Sequence, residues 1–95
     1  MNFIYKYPLV IADYQTVKMP ARSRVLTAQI QKGELFVWVM ADPSEPGTVD
    51  YPFWIHGTGH PVEEMDSQPI RYISTVQPTT FGQSLVLHVF VGLNA

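Results

Sequence analysis

Chemistry in this chain is most concentrated in one short segment, Gly57-Thr58-Gly59-His60-Pro61. Two glycines around a threonine allow positive φ and close backbone approach. Successive N–H groups in such a turn can form a nest that cradles an anion. Thr58 adds a hydroxyl donor, and His60 a ring that carries charge near neutral pH. The same spacing also serves a tight chain reversal. It is not a P-loop: the spacing differs, the lysine is missing and no helical pattern follows. Just before it stand Phe53 and Trp54, which strand alternation sends to opposite faces, so one of the two must point outward. A flat aromatic beside a glycine loop suits a stacked base, and Arg71 can supply the cation for a phosphate. Trp54, His56, Gly57, Thr58, Gly59, His60 and Arg71 are therefore the candidate ligand-binding residues.

Other chemistries find less support. His56 and His60 are four apart with Glu63 and Glu64 nearby. On a helix that spacing would turn both rings to one metal, but His56 ends a strand pattern and two glycines intervene, so no metal site is expected. His88 interrupts an apolar strand and reads as a hydrogen-bonded core histidine. Nucleophilic catalysis needs a hydroxyl or thiol beside an oriented base. The serines lie in no such motif, and Glu63, Glu64 and Asp66 read as a solvated charge run. The expectation is a non-enzymatic protein with no cofactor. The chain has no cysteine, which excludes disulfides, thiol nucleophiles and cysteine-bound zinc.

The elements that must position these residues are strands. Phe3–Tyr7 is aromatic and β-branched, closed by Pro8. Tyr14–Met19 is a weaker candidate ended by Pro20. Arg24–Gln31 alternates, with Leu26, Ala28 and Ile30 on one face. Lys32-Gly33 separates it from Glu34–Ala41, as in a tight hairpin with glycine at positive φ. Asp42–Gly47, with two prolines and a glycine, is a loop. Val49–His56 resumes strand character, with Pro52 marking an edge or a bulge. Residues 62–69 are acidic and irregular, with room for one helical turn at most. Ile70–Gln77 and Ser84–Val91 complete the set, joined by a connection over 79–83. About seven short strands with turn signals between them predict an all-β fold, a small antiparallel sandwich or barrel. At 95 residues the chain makes one domain, residues 1–95.

Composition narrows the partners. The net charge is −2, and of six basic residues only Arg22 and Arg24 are close in sequence, which disfavours a nucleic-acid polymer. No apolar run approaches a membrane span, and the first residues lack the order of a signal peptide. Charged residues are only 15% of the chain, below the roughly 25% usual in soluble domains. Glu34–Ala41 and Ser84–Val91 are apolar on both faces. Loops or the N-terminal segment could cover the outer faces, and so could a second copy in a homo-oligomer.

Ile4-Tyr5-Lys6-Tyr7-Pro8-Leu9, Gly57-Thr58-Gly59-His60-Pro61 and Leu87-His88-Val89-Phe90 together resemble a group of short proteins of tailed bacteriophages and prophages. The resemblance covers nearly the whole chain. It departs where the group often carries a tryptophan before the histidine and this chain has Leu87, and this chain adds Val91 to Ala95. The group has no established activity, so it implies context rather than catalytic residues: a viral protein in the host bacterial cytoplasm, acting by binding. The leading expectation is a homo-oligomer that sequesters a small anionic, nucleotide-like ligand such as a host immune signal. The alternative is a protein–protein inhibitor or accessory module that binds a host or virion protein.

Overall fold

The computed structural model describes residues 1–63, 68–80 and 83–93, and the acidic stretch 64–67 lies outside them. Seven strands build two antiparallel sheets: β1 (Phe3–Pro8), β2 (Tyr14–Pro20), β3 (Arg24–Gln31), β4 (Glu34–Ala41), β5 (Thr48–Gly57), β6 (Ile70–Val76) and β9 (Leu87–Gly92). A two-residue ladder joins β7 (Thr79–Thr80) to β8 (Gln83–Ser84). One sheet has the order β1-β4-β3 and the other β2-β5-β9-β6. The fold is a small all-β sandwich, as the alternation predicts. The slab is thin, 15 Å through its shortest axis, about what two sheets packed roughly 10 Å apart allow. Among the described residues no helix is long and apolar enough to cross a membrane.

Period-2 alternation decides which side chains meet between the sheets. Leu35, Val37, Val39 and Ala41 of β4 turn inward against Tyr51, Phe53 and Ile55 of β5 and Val89 and Val91 of β9. All nine are buried. The β3–β4 turn carries positive φ at both Lys32 (52°) and Gly33 (80°). That is the type I′ geometry whose twist matches a two-residue hairpin.

Three expectations need correction. Ser84–Val91 is not one strand: Leu85 leaves the ladder, its N–H donating to the Pro78 carbonyl at 3.1 Å, and pairing resumes at Leu87. Apolar character persisted through the break, so periodicity could not show it. Pro52 marks neither an edge strand nor a bulge, for β5 lies inside its sheet and pairs with β2 without a register shift. The Ile55 N–H donates to the Asp13 carbonyl on the β2 side. Alternation therefore turns Pro52's missing N–H toward β9, one position past the last β5–β9 pair, Phe53↔Val91. His88 is not a core residue: it lies on the outer face of β9, half-buried, opposite His56 and Thr75.

The outer faces of the two strands apolar on both sides are half-buried, their aromatic rings packed on one another. Phe36 and Trp38 of β4 pack edge to face at 6.1 Å. Phe90 of β9 lies between Tyr72 and His56, with centroids at 5.8 and 5.9 Å.

Candidate functional site

The sequence-nominated residues fall on two faces of the four-stranded sheet. Trp54 and His56 occupy the outer face of β5, since Phe53 and Ile55 face inward. Trp54 is nevertheless only 6% exposed. Tyr14, directly opposite on β2, packs against it at 5.2 Å, and Gly92 lies beside its ring on the β9 side. Trp54 therefore anchors the sheet surface and offers no open face for stacking. Nothing in its local sequence shows that Tyr14 will cover it.

Gly57 to His60 form a β-turn closed by a 3.2 Å bond from the His60 N–H to the Gly57 carbonyl. Gly59 sits at φ 85°, which a type II turn requires at its third position. The His60 ring folds back so closely that a Cβ on Gly57 would stand 3.0 Å from two of its ring atoms. Both glycines thus have local structural work. A cavity of about 300 Å³ adjoins the turn, lined by Asp13, His56, His60, Pro61 and Glu63. Two carboxylates in its wall oppose an anion. Among the described residues no His, Asp and Glu group is arranged to hold a metal.

Thr58 makes a different connection. Its Oγ1 is 2.8 Å from His88 Nε2, while His88 Nδ1 is 2.9 Å from Thr75 Oγ1, which in turn is 2.7 Å from the Tyr72 hydroxyl. The order hydroxyl–imidazole–hydroxyl resembles a nucleophile, its base and an orienting group. The third group of an efficient triad is a buried carboxylate that stabilises the imidazolium, and a threonine hydroxyl cannot do that. The chain of hydroxyls ties the turn to β9 and β6.

Arg71 stands apart from the other six. It pairs with Val91, an inward position, on the edge strand β6. Its Nη2 donates to the Val25 carbonyl of β3 at 2.7 Å. Along β5 and β9 the glycine turn lies four residues beyond that level, about 13 Å. What the sequence did not reveal is the company Arg71 keeps. A cavity of about 340 Å³ is lined by Arg22, Arg24 and Arg71, with Tyr51, Val25 and Val91 among its other walls. Half of the chain's six basic residues meet there.

The cleft exists because the two sheets join at this edge through side chains. Both strands bulge here, β3 between Val25 and Thr27 and β6 between Tyr72 and Ser74. Buried Ser74 then stands in for a strand partner: its Oγ accepts the Ala28 N–H at 2.9 Å and bonds Thr27 Oγ1 at 2.8 Å. Arg71 satisfies the Val25 carbonyl in the same manner. At the mouth, the Ser23 N–H donates to the Tyr51 hydroxyl at 2.9 Å. Arg22 is held at φ 61°, a left-handed conformation that costs most L-residues energy. Its only ion pair among the described residues is with Glu45 at 3.5 Å, and its side chain is 85% exposed. No described carboxylate pairs with Arg24 or Arg71. The sequence signal for this cleft was the Arg22–Arg24 pair alone. Arg71 joins it across 46 positions, as the Val25 bond spans.

The chain belongs to a family described as a domain of unknown function, DUF7352, whose model matches residues 1–95. No curated protein and no solved structure matches it.

Proposed function

We propose that this family member is a non-enzymatic, homo-oligomeric binding protein that captures a small anionic, nucleotide-like ligand in the Arg22–Arg24–Arg71 cleft. The observation that carries the reading is that three arginines, from the β2–β3 turn, β3 and β6, line one cavity. Planar guanidinium forks match phosphate oxygens two at a time. Val25, Val91 and Leu93 give the same cavity an apolar wall, suited to a body less polar than its charged head. Arg22 adds support, because backbone strain of its kind concentrates where a side chain is needed for function. Capture without turnover suits a phage protein that withdraws a host signalling molecule in the bacterial cytoplasm.

Native mass spectrometry of the protein purified from phage-infected cells tests the reading, since it reports subunit number and any retained small mass together. The expected result is a multimer carrying an intact ligand that denaturation releases. Titration with adenosine monophosphate and a panel of cyclic nucleotides then locates the site. Arg24→Ala should weaken binding about tenfold or more, the scale of one charge-assisted hydrogen bond. The double change Thr58→Ala with His60→Ala should leave binding intact. The reverse pattern would move the site to the glycine turn. A bare protein that stays bare after the panel would favour the second reading, a module that binds a host or virion protein. The exposed apolar residues of the N-terminal segment support that second reading.

A further inference from the structure

We propose that the free edge of β1 is the seam of a two-fold dimer, in which β1 pairs antiparallel with β1 of a second copy. The two three-stranded sheets would then run on as one six-stranded sheet. This deepens the self-association in the proposed function and does not depend on the arginine cleft.

Backbone geometry shows which groups are offered. β1 has one neighbour, β4. The Leu9 N–H donates to the Leu35 carbonyl at 2.9 Å. Alternation along an antiparallel ladder then turns Tyr7, Tyr5 and Phe3 toward β4. Ile4 and Lys6 present their N–H and C=O groups to the open side. The β1–β4 register runs without a shift from Phe3↔Ala41 to Pro8↔Phe36, so no bulge twists the edge away.

The usual protection of an edge is incomplete: only Pro8, at the end of β1, lacks an open-side N–H. Natural sheets block such pairing with charges, commonly lysine, along the edge strand. The single charge on β1 is Lys6, and its Nζ reaches away from the edge. It sits 4.4 Å over the Phe36 ring and donates to Gln31 Oε1 of β3 at 2.7 Å. What remains on the strand is apolar and uncovered. Phe3 and Tyr5 lie on the core side, opposite Ala41 and Val39, yet are 48% and 38% exposed because the second sheet does not reach them. Ile4 on the other face is 61% exposed.

A second copy fits this edge when the two-fold axis is centred on Tyr5. A two-fold axis through an antiparallel pair is perpendicular to the sheet, so each face continues and the axis passes midway between the two copies of one residue. Centring on Tyr5 places Ile4 opposite the partner's Lys6 and Lys6 opposite the partner's Ile4. Every outward N–H of the two residues then meets a carbonyl. Centring on Lys6 would pair Ile4 with a proline, which has no N–H. Area supports a second copy as the occupant. The chain exposes 6062 Å², against about 5,500 Å² for a compact monomer of its mass. The excess is of the order of what one partner contributes to a small specific interface.

The chain has no cysteine, so single replacements read the register directly. At Tyr5 the facing Cα atoms would stand about 4.5 Å apart, inside the disulfide range. At Ile4 the two copies of the residue are offset by two positions and stand roughly 9 Å apart, beyond it. Tyr5→Cys should therefore give a covalent dimer on mild oxidation, and Ile4→Cys should stay monomeric on a denaturing gel. Sedimentation of the unmodified protein should show a concentration-dependent dimer, and Tyr5→Lys should sediment as a folded monomer. A monomer at every concentration, equal cross-linking at both positions, or a dimer that Tyr5→Cys fails to lock would overturn the proposal. Nucleotide binding by the Tyr5→Lys chain separates the two claims. Binding retained by the monomer leaves the cleft standing, whatever becomes of the seam.

Discussion

Arg22 should show opposite effects on stability and on binding, and the sizes follow from its geometry. It occupies φ 61° in the turn after β2, where an ordinary L-residue costs about 1 kcal/mol and asparagine costs less. Arg22→Asn removes most of that strain. It also removes the 3.5 Å pair with Glu45, worth about 0.2–0.5 kcal/mol because the arginine side chain is mostly in water. The net expectation is a gain of about 0.5 kcal/mol. In a domain of this size that raises Tm by roughly 2–4 °C. Lys32 supplies the control. It sits at φ 52° in the β3–β4 turn and does not line the arginine cleft, so Lys32→Asn should stabilise by a similar or slightly larger amount. Calorimetry reads both shifts. Titration with adenosine monophosphate should show about tenfold weaker binding for Arg22→Asn and none of that loss for Lys32→Asn. Equal binding by the two variants would refute the argument that strain at Arg22 is maintained for its charge. A fall in Tm at Arg22 would refute the strain itself.

Three further expectations concern the frame and the loop. Ser74→Ala strips the partner from the buried Ala28 N–H and should cost about 1–3 kcal/mol in urea unfolding, with the cleft loosened in the same variant. Gly92→Ala would set a Cβ 2.7 Å from Pro52 Cγ, and the resulting overpacking should cost about 1–3 kcal/mol by the same measurement. Asp42 is held at a pKa of about 2, below its ordinary 3.8, chiefly by the Ser44 hydroxyl, then by the Ser44 N–H and the Met1 amino group. A lowered folded pKa stabilises above the unfolded value, so its contribution is fully present above 3.8 and fades as pH falls toward 2. Carboxyl NMR of Ser44→Ala should move the Asp42 midpoint upward.

Strand identity was legible wherever alternation and a turn residue agreed. Arg24–Gln31 and Glu34–Ala41 have the bounds that the sequence predicts, because Lys32-Gly33 punctuates two unambiguous runs. Where apolar residues ran on through a break, as at Leu85 and Val86, local pattern carried no boundary. Faces were legible where the register ran unbroken. On β3 alternation set Leu26 with Ala28 and Val25 opposite, but the bulge between Val25 and Thr27 carries Val25 into the core beside Ala28 instead. Neighbours were not legible. Alternation put Phe53 and Trp54 on opposite faces without saying which turns inward, and only the β2–β5 register brings Tyr14 onto the indole. The same limit hid the cleft. Arg71 reads as an isolated cation until β6 is placed beside β9 and across from β3, and that order depends on pairings between distant segments.

The two sides of the sandwich meet the same physical requirement in different ways, and the contrast links the two proposals. Each sheet ends in strands whose outward N–H and C=O groups need partners. On the β3–β6 side, Ser74 and Arg71 satisfy Ala28 and Val25 with side chains. Side chains hold strands further apart than a backbone ladder does, and the gap they leave is the arginine-lined cavity. On the β1 side no side chain from the other sheet plays that part among the described residues. The Lys6 head is bonded to β3, and Phe3 and Tyr5 extend past the covering sheet. Full backbone pairing is then the remaining way to satisfy Ile4 and Lys6 away from water, and a second β1 presents the complementary spacing. The cleft and the seam would thus lie on opposite sides of each subunit. A dimer built through β1 leaves both arginine clefts open to solvent, which predicts one ligand per chain and binding that does not change on dissociation.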